Sequence, residues 1–394
     1  MTESLPSAVR NARCRCPINQ ISSKLSKLYH VQTMAIEYRV PQGWFLSHER
    51  FLNQTYSEVG LYSRAIFDLK TPFRMDLEAR KWARTMEQKD PEQRTQQTPR
   101  RRRKPSTLNA EEKERNLLFS TFLDRLKETH STLFDKEPSS SVIEENNRAV
   151  RDLVKDLPNF EVEKPLSMTN DQDASKIVRL ADRKYILPPR CELILDDISA
   201  IAHLRRANRK FDIILADPPW ENRHIKRKSE YAMMSNEDLA RLPIQDLLHD
   251  HGYLIIWCTL SQRHQTELEG WLDRWDCELL TRWFWLKVTK CGEPVIDLEK
   301  AHKRPYEVIL IARKRTSSNP IPSHFRKELI VCSVPSGHHS HKPPLSQILD
   351  EILPTSPSRK CLELFGRYLV PHWTTLGNEC IKFQDIDYLF YSRV

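Results

Sequence analysis

Phe211-Asp212-Ile213-Ile214-Leu215-Ala216-Asp217-Pro218-Pro219-Trp220 is an apolar run that stops on a carboxylate, two prolines and an indole. Its first half is continuously apolar, the pattern of a strand buried on both faces. Two consecutive prolines fix the backbone and remove two N–H donors, so the chain can neither prolong a ladder nor enter a helix there. The stretch is predicted to be an inner strand that delivers a rigid turn.

Similar short runs stand on either side: Leu193-Ile194-Leu195, Leu254-Ile255-Ile256-Trp257, Val308-Ile309-Leu310-Ile311, Leu329-Ile330-Val331 and Leu362-Glu363-Leu364-Phe365. Helical patterns separate them, such as 261–275 with Leu268, Trp271 and Leu272 on one face. The alternation predicts an α/β fold with a largely parallel sheet, in a domain over 142–394 whose core is 185–394. In such sheets ligands lie beyond the carboxyl ends of the strands, where Asp217-Pro218-Pro219-Trp220 stands. Glycine occurs only 8 times, which excludes a GxGxxG fingerprint or a P-loop as the nucleotide site.

Towards the amino terminus the pattern weakens. Trp44, Phe45, Phe51, Tyr56, Tyr62 and Phe67 could pack a small module within an N-terminal region 1–88. Region 89–141 reads as a basic linker with an amphipathic helix. Its Pro99-Arg100-Arg101-Arg102-Arg103-Lys104-Pro105 resembles an address for a nuclear-import receptor, and 110–134 places Leu118, Phe119, Phe122 and Leu126 on one stripe. Val150, Val154 and Leu157 predict a further helix ending at Pro158.

The formal charge of +9 makes a polyanion the first partner to consider. The 9 cysteines lack any paired spacing and read as reduced thiols, with Cys14 and Cys16 too close for a zinc knuckle. No apolar run approaches a membrane span, so the expectation is an intracellular monomer in the nucleus. The Arg- and Lys-bearing residues 1–30 leave mitochondrion or cytoplasm as the alternatives.

Five motifs in one order carry a family resemblance: 211–220; Tyr231 with Met234-Ser235; Ser340-His341-Lys342-Pro343; Glu363-Leu364-Phe365-Gly366-Arg367; and Trp373-Thr374-Thr375-Leu376-Gly377-Asn378-Glu379. Together they resemble the eukaryotic N6-adenine methyltransferases of the Asp-Pro-Pro-Trp type. The likeness covers roughly 185–394 and continues weakly through Gly43-Trp44-Phe45-Leu46. His302-Lys303-Arg304-Pro305-Tyr306-Glu307 and the short spacing from Arg367 to Pro371 resemble one branch in particular.

The resemblance implies a permuted Rossmann-like, S-adenosylmethionine-dependent methyltransferase sheet of seven mostly parallel strands, with S-adenosylmethionine as cofactor. An adenine amine is a weak nucleophile because its lone pair is conjugated. A carboxylate and a carbonyl held by a rigid turn can accept its two N–H bonds and direct that lone pair at a methyl donor. By resemblance Asp217 and the Pro218 carbonyl would hold the amine, Pro219 would stiffen the turn, Trp220 would support the base, and Tyr231 would lie in the substrate loop. Cofactor contacts would come from Asp197, Ile198, Asp217, Lys342, Glu363, Leu364, Phe365, Arg367, Asn378 and Glu379. The better-known messenger-RNA methylating members carry a longer segment after the arginine, so contacts made there do not transfer.

Arg223, His224, Lys226, Arg227 and Lys228 would hold phosphates at the mouth of the site. His338, His339 and His341 lack accompanying carboxylates, and the chemistry needs no metal. The resemblance points to adenosine in a small nuclear RNA, 2′-O-methylated, with DNA adenine as the competing substrate. Two rival readings are a scaffold subunit that kept the fold but lost the chemistry, and methylation of an amide or amine on another class of molecule.

Overall fold

The computed structural model describes residues 35–63, 65–72, 108–130, 132–135, 150, 152–153, 162–220, 235–299, 304–338, 341–353 and 358–392. Its strands are β1 (Ile36–Val40), β2 (Gly43–Leu46), β3 (Leu61–Ser63), β4 (Leu166–Thr169), β5 (Lys176–Leu180), β6 (Arg183–Leu187), β7 (Glu192–Leu195), β8 (Phe211–Ala216), β9 (Leu248–Cys258), β10 (Cys277–Lys287), β11 (Tyr306–Lys314), β12 (Ile330–Ser333), β13 (Cys361–Leu364), β14 (Trp373–Leu376) and β15 (Phe390–Ser392). Eleven of them form one sheet in the order β1-β2-β12-β10-β11-β9-β8-β13-β14-β7-β4, while β3–β15 and β5–β6 pair separately.

Pairing is parallel through β9-β8-β13-β14-β7 and again through β10-β12-β2; β11, β1 and β4 run against their neighbours. The six apolar runs all fall in strands of this sheet. The segment β7-β14-β13-β8-β9-β11-β10 is the expected seven-stranded unit. The strand expected to end on Asp217 precedes β13 and β14 in sequence although β13 lies beside it and β14 one strand further, which is the permuted order. The sheet is wider than expected, because β12, β2 and β1 extend one edge and β4 the other.

Two readings of the sequence needed the structure. In β10, Glu278 and Arg282 interrupt the apolar pattern, yet the strand is sandwiched between β11 and β12 and buries Trp283, Phe284, Trp285 and Leu286. In β14, Thr374 and Thr375 hide a wholly buried strand between β13 and β7. Of the predicted helices, 261–275 is the helix Gln262–Arg274, and 110–134 ends earlier, as Ala110–Thr129, started by a reciprocal Asn109–Glu112 capping box. The helix expected to end at Pro158 lies largely outside the described residues, as do Pro99–Pro105, Cys14 and Cys16. The described cysteines are all buried, and none of them forms a disulfide with another described residue. No helix among the described residues is long and apolar enough to cross a membrane.

Strand β8 shows why the run is continuously apolar. Ile214 and Ala216 pack on one face of the sheet against helices Ala110–Thr129 and Gln262–Arg274, with Phe119, Phe122, Leu268 and Trp271 in that core. Ile213 and Leu215 pack on the other face against helices His48–Tyr56 and Ser346–Ile352, among Phe51, Tyr56, Ile348 and Leu349. The aromatic residues of 38–75 thus include part of the second core, and β1 and β2 are strands of the main sheet.

Gly43 makes that join possible. Its φ is 152° and an added Cβ would stand 1.9 Å from the Ile330 carbonyl oxygen. Gly43→Ala is expected to lower stability by about 2–3 kcal/mol, read as a fall in the denaturant midpoint with little change in m.

Candidate active site

From β8 the chain continues to β9 on one side, and from β13 it continues to β14 on the other, so the connections part between β8 and β13. That is the switch point at which parallel sheets leave a crevice. The rim carries Asp196-Asp197 after β7, Asp217 after β8, Phe365-Gly366-Arg367 after β13 and Gly377-Asn378-Glu379 after β14. Strand β10 ends there on Lys287, and the antiparallel β11 enters there, with Glu307 opposite Trp285.

The turn after β8 is held by its backbone. Asp217 N–H donates to the Leu364 carbonyl at 3.2 Å, and Trp220 N–H donates to the Pro218 carbonyl at 2.8 Å. The second bond closes a three-residue turn centred on Pro219, whose ring fixes φ for it. It uses one lone pair of the Pro218 oxygen and leaves the other.

Asp217 is half-buried at the head of a charged chain. Lys342 Nζ lies 3.4 Å from Asp217 Oδ1 and 2.5 Å from Glu307 Oε2, while Lys287 Nζ lies 2.5 Å from Glu307 Oε1. Trp257 and Trp285 wall the chain, with the Lys342 ammonium 5.0 Å from the Trp257 ring and that of Lys287 4.3 Å from the Trp285 ring. Burial pushes the Glu307 carboxyl up, but the two ammonium groups together outweigh it and hold the group at about 2. Burial likewise pulls Lys342 down, and Asp217 and Glu307 outweigh it, so that lysine stays charged. At Asp217 burial wins: its pKa is raised, although Lys342 and then Arg367 oppose the shift.

The remaining predicted residues divide by what they offer. Asp197 is exposed and caps the short turn Ile198–Ala200 by accepting from Ser199 N–H at 2.9 Å; that bond and the neighbouring Asn378 amide help hold its carboxyl below the usual range. Arg367 Nε and Lys382 Nζ both donate to Glu379, at 3.1 and 2.7 Å. Ile198 and Leu364 are core side chains, so their backbone is what faces the rim. Phe365 turns the chain at φ 63°, its N–H bonded to the Leu376 carbonyl at 2.8 Å. Gly366 and Gly377 approach closely: a Cβ on Gly377 would sit 3.2 Å from the Gly366 carbonyl oxygen. Trp220 is half-buried and packs inward. Arg223, His224, Lys226, Arg227, Lys228, Tyr231 and His339 lie outside the described residues.

Sequence reasoning quoted Glu307 within a motif but gave it no role, and passed over Lys287. The available signal was a charge inside an otherwise apolar strand, which seldom stays buried unless paired. His341 is packing: it stacks on Phe383 at 4.8 Å and 5°, and burial, then His48 and His338, keep it well below the usual imidazole range.

Glu363 is 4% exposed, and burial, reinforced by the charge on Asp217, pushes it up to about 8. A carboxyl that holds its proton when folded but loses it at ordinary pKa when unfolded makes the folded state the greater proton binder between about pH 4.5 and 8. Stability is therefore expected to fall as pH rises through that window. Glu363→Gln should flatten this part of the profile, measured as denaturant midpoints at pH 6 and pH 9.

The MT-A70 family matches residues 211–379 of this chain. The chain is 39% identical over 228 residues to the N(6)-adenine-specific methyltransferase METTL4 of Mus musculus, covering 56% of this chain and 48% of that protein. It is 33% identical over 228 residues to the N6-methyladenosine RNA methyltransferase MTA1 of Pyricularia oryzae, covering 55% and 58%. To a DNA N6-methyl methyltransferase of Caenorhabditis elegans it is 35% identical over 202 residues, covering 50% and 53%. The chain spans about half the length of the curated relatives it matches.

Proposed function

With residues 211–379 carrying an MT-A70 domain, we propose that the chain transfers a methyl group from S-adenosylmethionine to the exocyclic amine of adenine in nucleic acid. The observation that carries the reading is the Asp217–Pro218–Pro219 turn at the switch point, with a carboxylate and a carbonyl acceptor fixed beside the half-buried Lys342.

The donor set at the rim fits the cofactor. Asp197, Asn378 and Glu379 offer acceptors for sugar hydroxyls, and Gly366 with Gly377 keeps side chains out of the space between them. Bound there, S-adenosylmethionine supplies a methyl already activated by its sulfonium, so the protein's task is to orient and sharpen the nucleophile. Asp217 accepts one N–H of the amine and the free lone pair of the Pro218 oxygen accepts the other. Two such bonds pull the nitrogen lone pair out of conjugation and give the surplus proton a route to the Asp217 carboxylate. Lys342, and after it Arg367, oppose the burial that raises the Asp217 pKa and so favour its ionised, accepting form.

Because the amine must enter a fixed turn, the substrate is a single strand, a loop or a flipped base. RNA is the polymer we favour, supported by the relative named for N6-methyladenosine RNA methylation, and within it 2′-O-methylated adenosine of a small nuclear RNA is the target we infer from the resemblance of the motifs. DNA is the second reading, supported by the relative named for it. The basic run Pro99–Pro105 would bring the chain to the nucleus by way of an import receptor. Matched oligonucleotides with one target adenosine, as RNA, 2′-O-methylated RNA and DNA, decide the order. The 2′-O-methylated RNA is expected to give the highest kcat/KM; a DNA substrate that outruns both RNAs would reverse the assignment.

A further inference from the structure

Trp220 is held in a way a surface stacking ring would not be. Its Nε1–H donates to the Trp257 carbonyl at 2.9 Å. Its ring stacks on Trp271, with centroids 5.3 Å apart and planes 7° apart, and on His264 at 5.0 Å and 20°. Both partners come from the helix Gln262–Arg274, and both are buried. His264 is itself tied at Nδ1 to Thr259 Oγ1 at 2.7 Å, just beyond the end of β9. The same helix also receives the chain at residues 236 and 237, through Asn236 on Glu267 and Arg274 on Glu237.

Only Pro219 separates this clamp from the Pro218 carbonyl. Trp220 N–H closes the turn onto the Pro218 carbonyl, so a shift of the indole moves the oxygen that would hold the amine. Misplacement of a reacting group by about 1 Å can cost on the order of a hundredfold in rate.

We propose that His264 and Trp271 are positioning residues for the catalytic turn, and that Trp220 is its anchor, not the surface on which the base stacks. The inference rests on the methyl-transfer reading for its kinetic test. His264→Ala should lower kcat by about tenfold or more while KM for the oligonucleotide and cofactor affinity stay unchanged. His264→Phe, which restores a flat ring against the indole, should recover most of the loss. A rise in KM at unchanged kcat would place the ring on the substrate and overturn the proposal, as would wild-type kcat in His264→Ala.

A second readout needs no turnover. In protein labelled with 5-fluorotryptophan, the Trp220 resonance, assigned by its loss in Trp220→Phe, should move on His264→Ala. An unmoved resonance would show that the clamp does not exist in solution. Wild-type protein that methylates no nucleic acid would count against the methyl-transfer reading alone, and the fluorine signal would still decide the clamp.

Discussion

Asp217→Ala is expected to abolish methyl transfer, by on the order of a thousandfold, while the protein stays folded and largely able to bind nucleic acid. The size follows from the role: a fixed acceptor aimed at charge that develops only in the transition state is commonly worth two to three orders of magnitude. The tolerance of the fold follows from the neighbours. Lys342 keeps its ion pair with Glu307 when Asp217 is gone, and burial already opposes ionisation of the Asp217 carboxyl. Single-turnover rates beside a thermal melt and an oligonucleotide titration would separate the two. A variant that unfolds would show that Asp217 is structural, and one that keeps wild-type turnover would remove it from the chemistry.

The second large effect is on stability. Glu307→Gln leaves Lys287 and Lys342 as two largely buried ammonium groups with Asp217 as the remaining carboxylate of the chain. Removing one partner of a buried pair typically costs about 3–5 kcal/mol, mostly through the charge left behind. Glu307→Gln combined with Lys287→Met removes one charge of each sign and leaves the Asp217–Lys342 pair. The double variant is therefore expected to be more stable than Glu307→Gln alone, a coupling that a double-mutant cycle in urea measures directly. Strict additivity would mean that the two side chains do not share a network.

Much of this architecture was legible because burial on both faces leaves a continuous apolar trace. Ile213 and Ile214 face different cores, and no polar residue could replace either without exposing a face of the sheet to an unsatisfied group. The position of Asp217 was legible for a related reason, since two prolines cannot occupy a ladder. What escaped were features set by partners distant in sequence. Thr374 and Thr375 form a strand because β13 and β7 lie on either side of them. Glu307 stays buried because Lys287 and Lys342 arrive from β10 and from the loop before helix Ser346–Ile352. The packing of Trp220 escaped because His264 and Trp271 stack on its ring from a helix further along the chain, a contact that no local spacing announces.

The most direct test of the central claim is where a labelled methyl group ends up. Wild-type protein is incubated with methyl-labelled S-adenosylmethionine and a single-stranded RNA containing one adenosine, and the RNA is digested to nucleosides. Two acceptors aimed at an exocyclic amine require the label in N6-methyladenosine. Label on a ring nitrogen, on a sugar oxygen or on the protein, with N6 unmodified, would contradict the account.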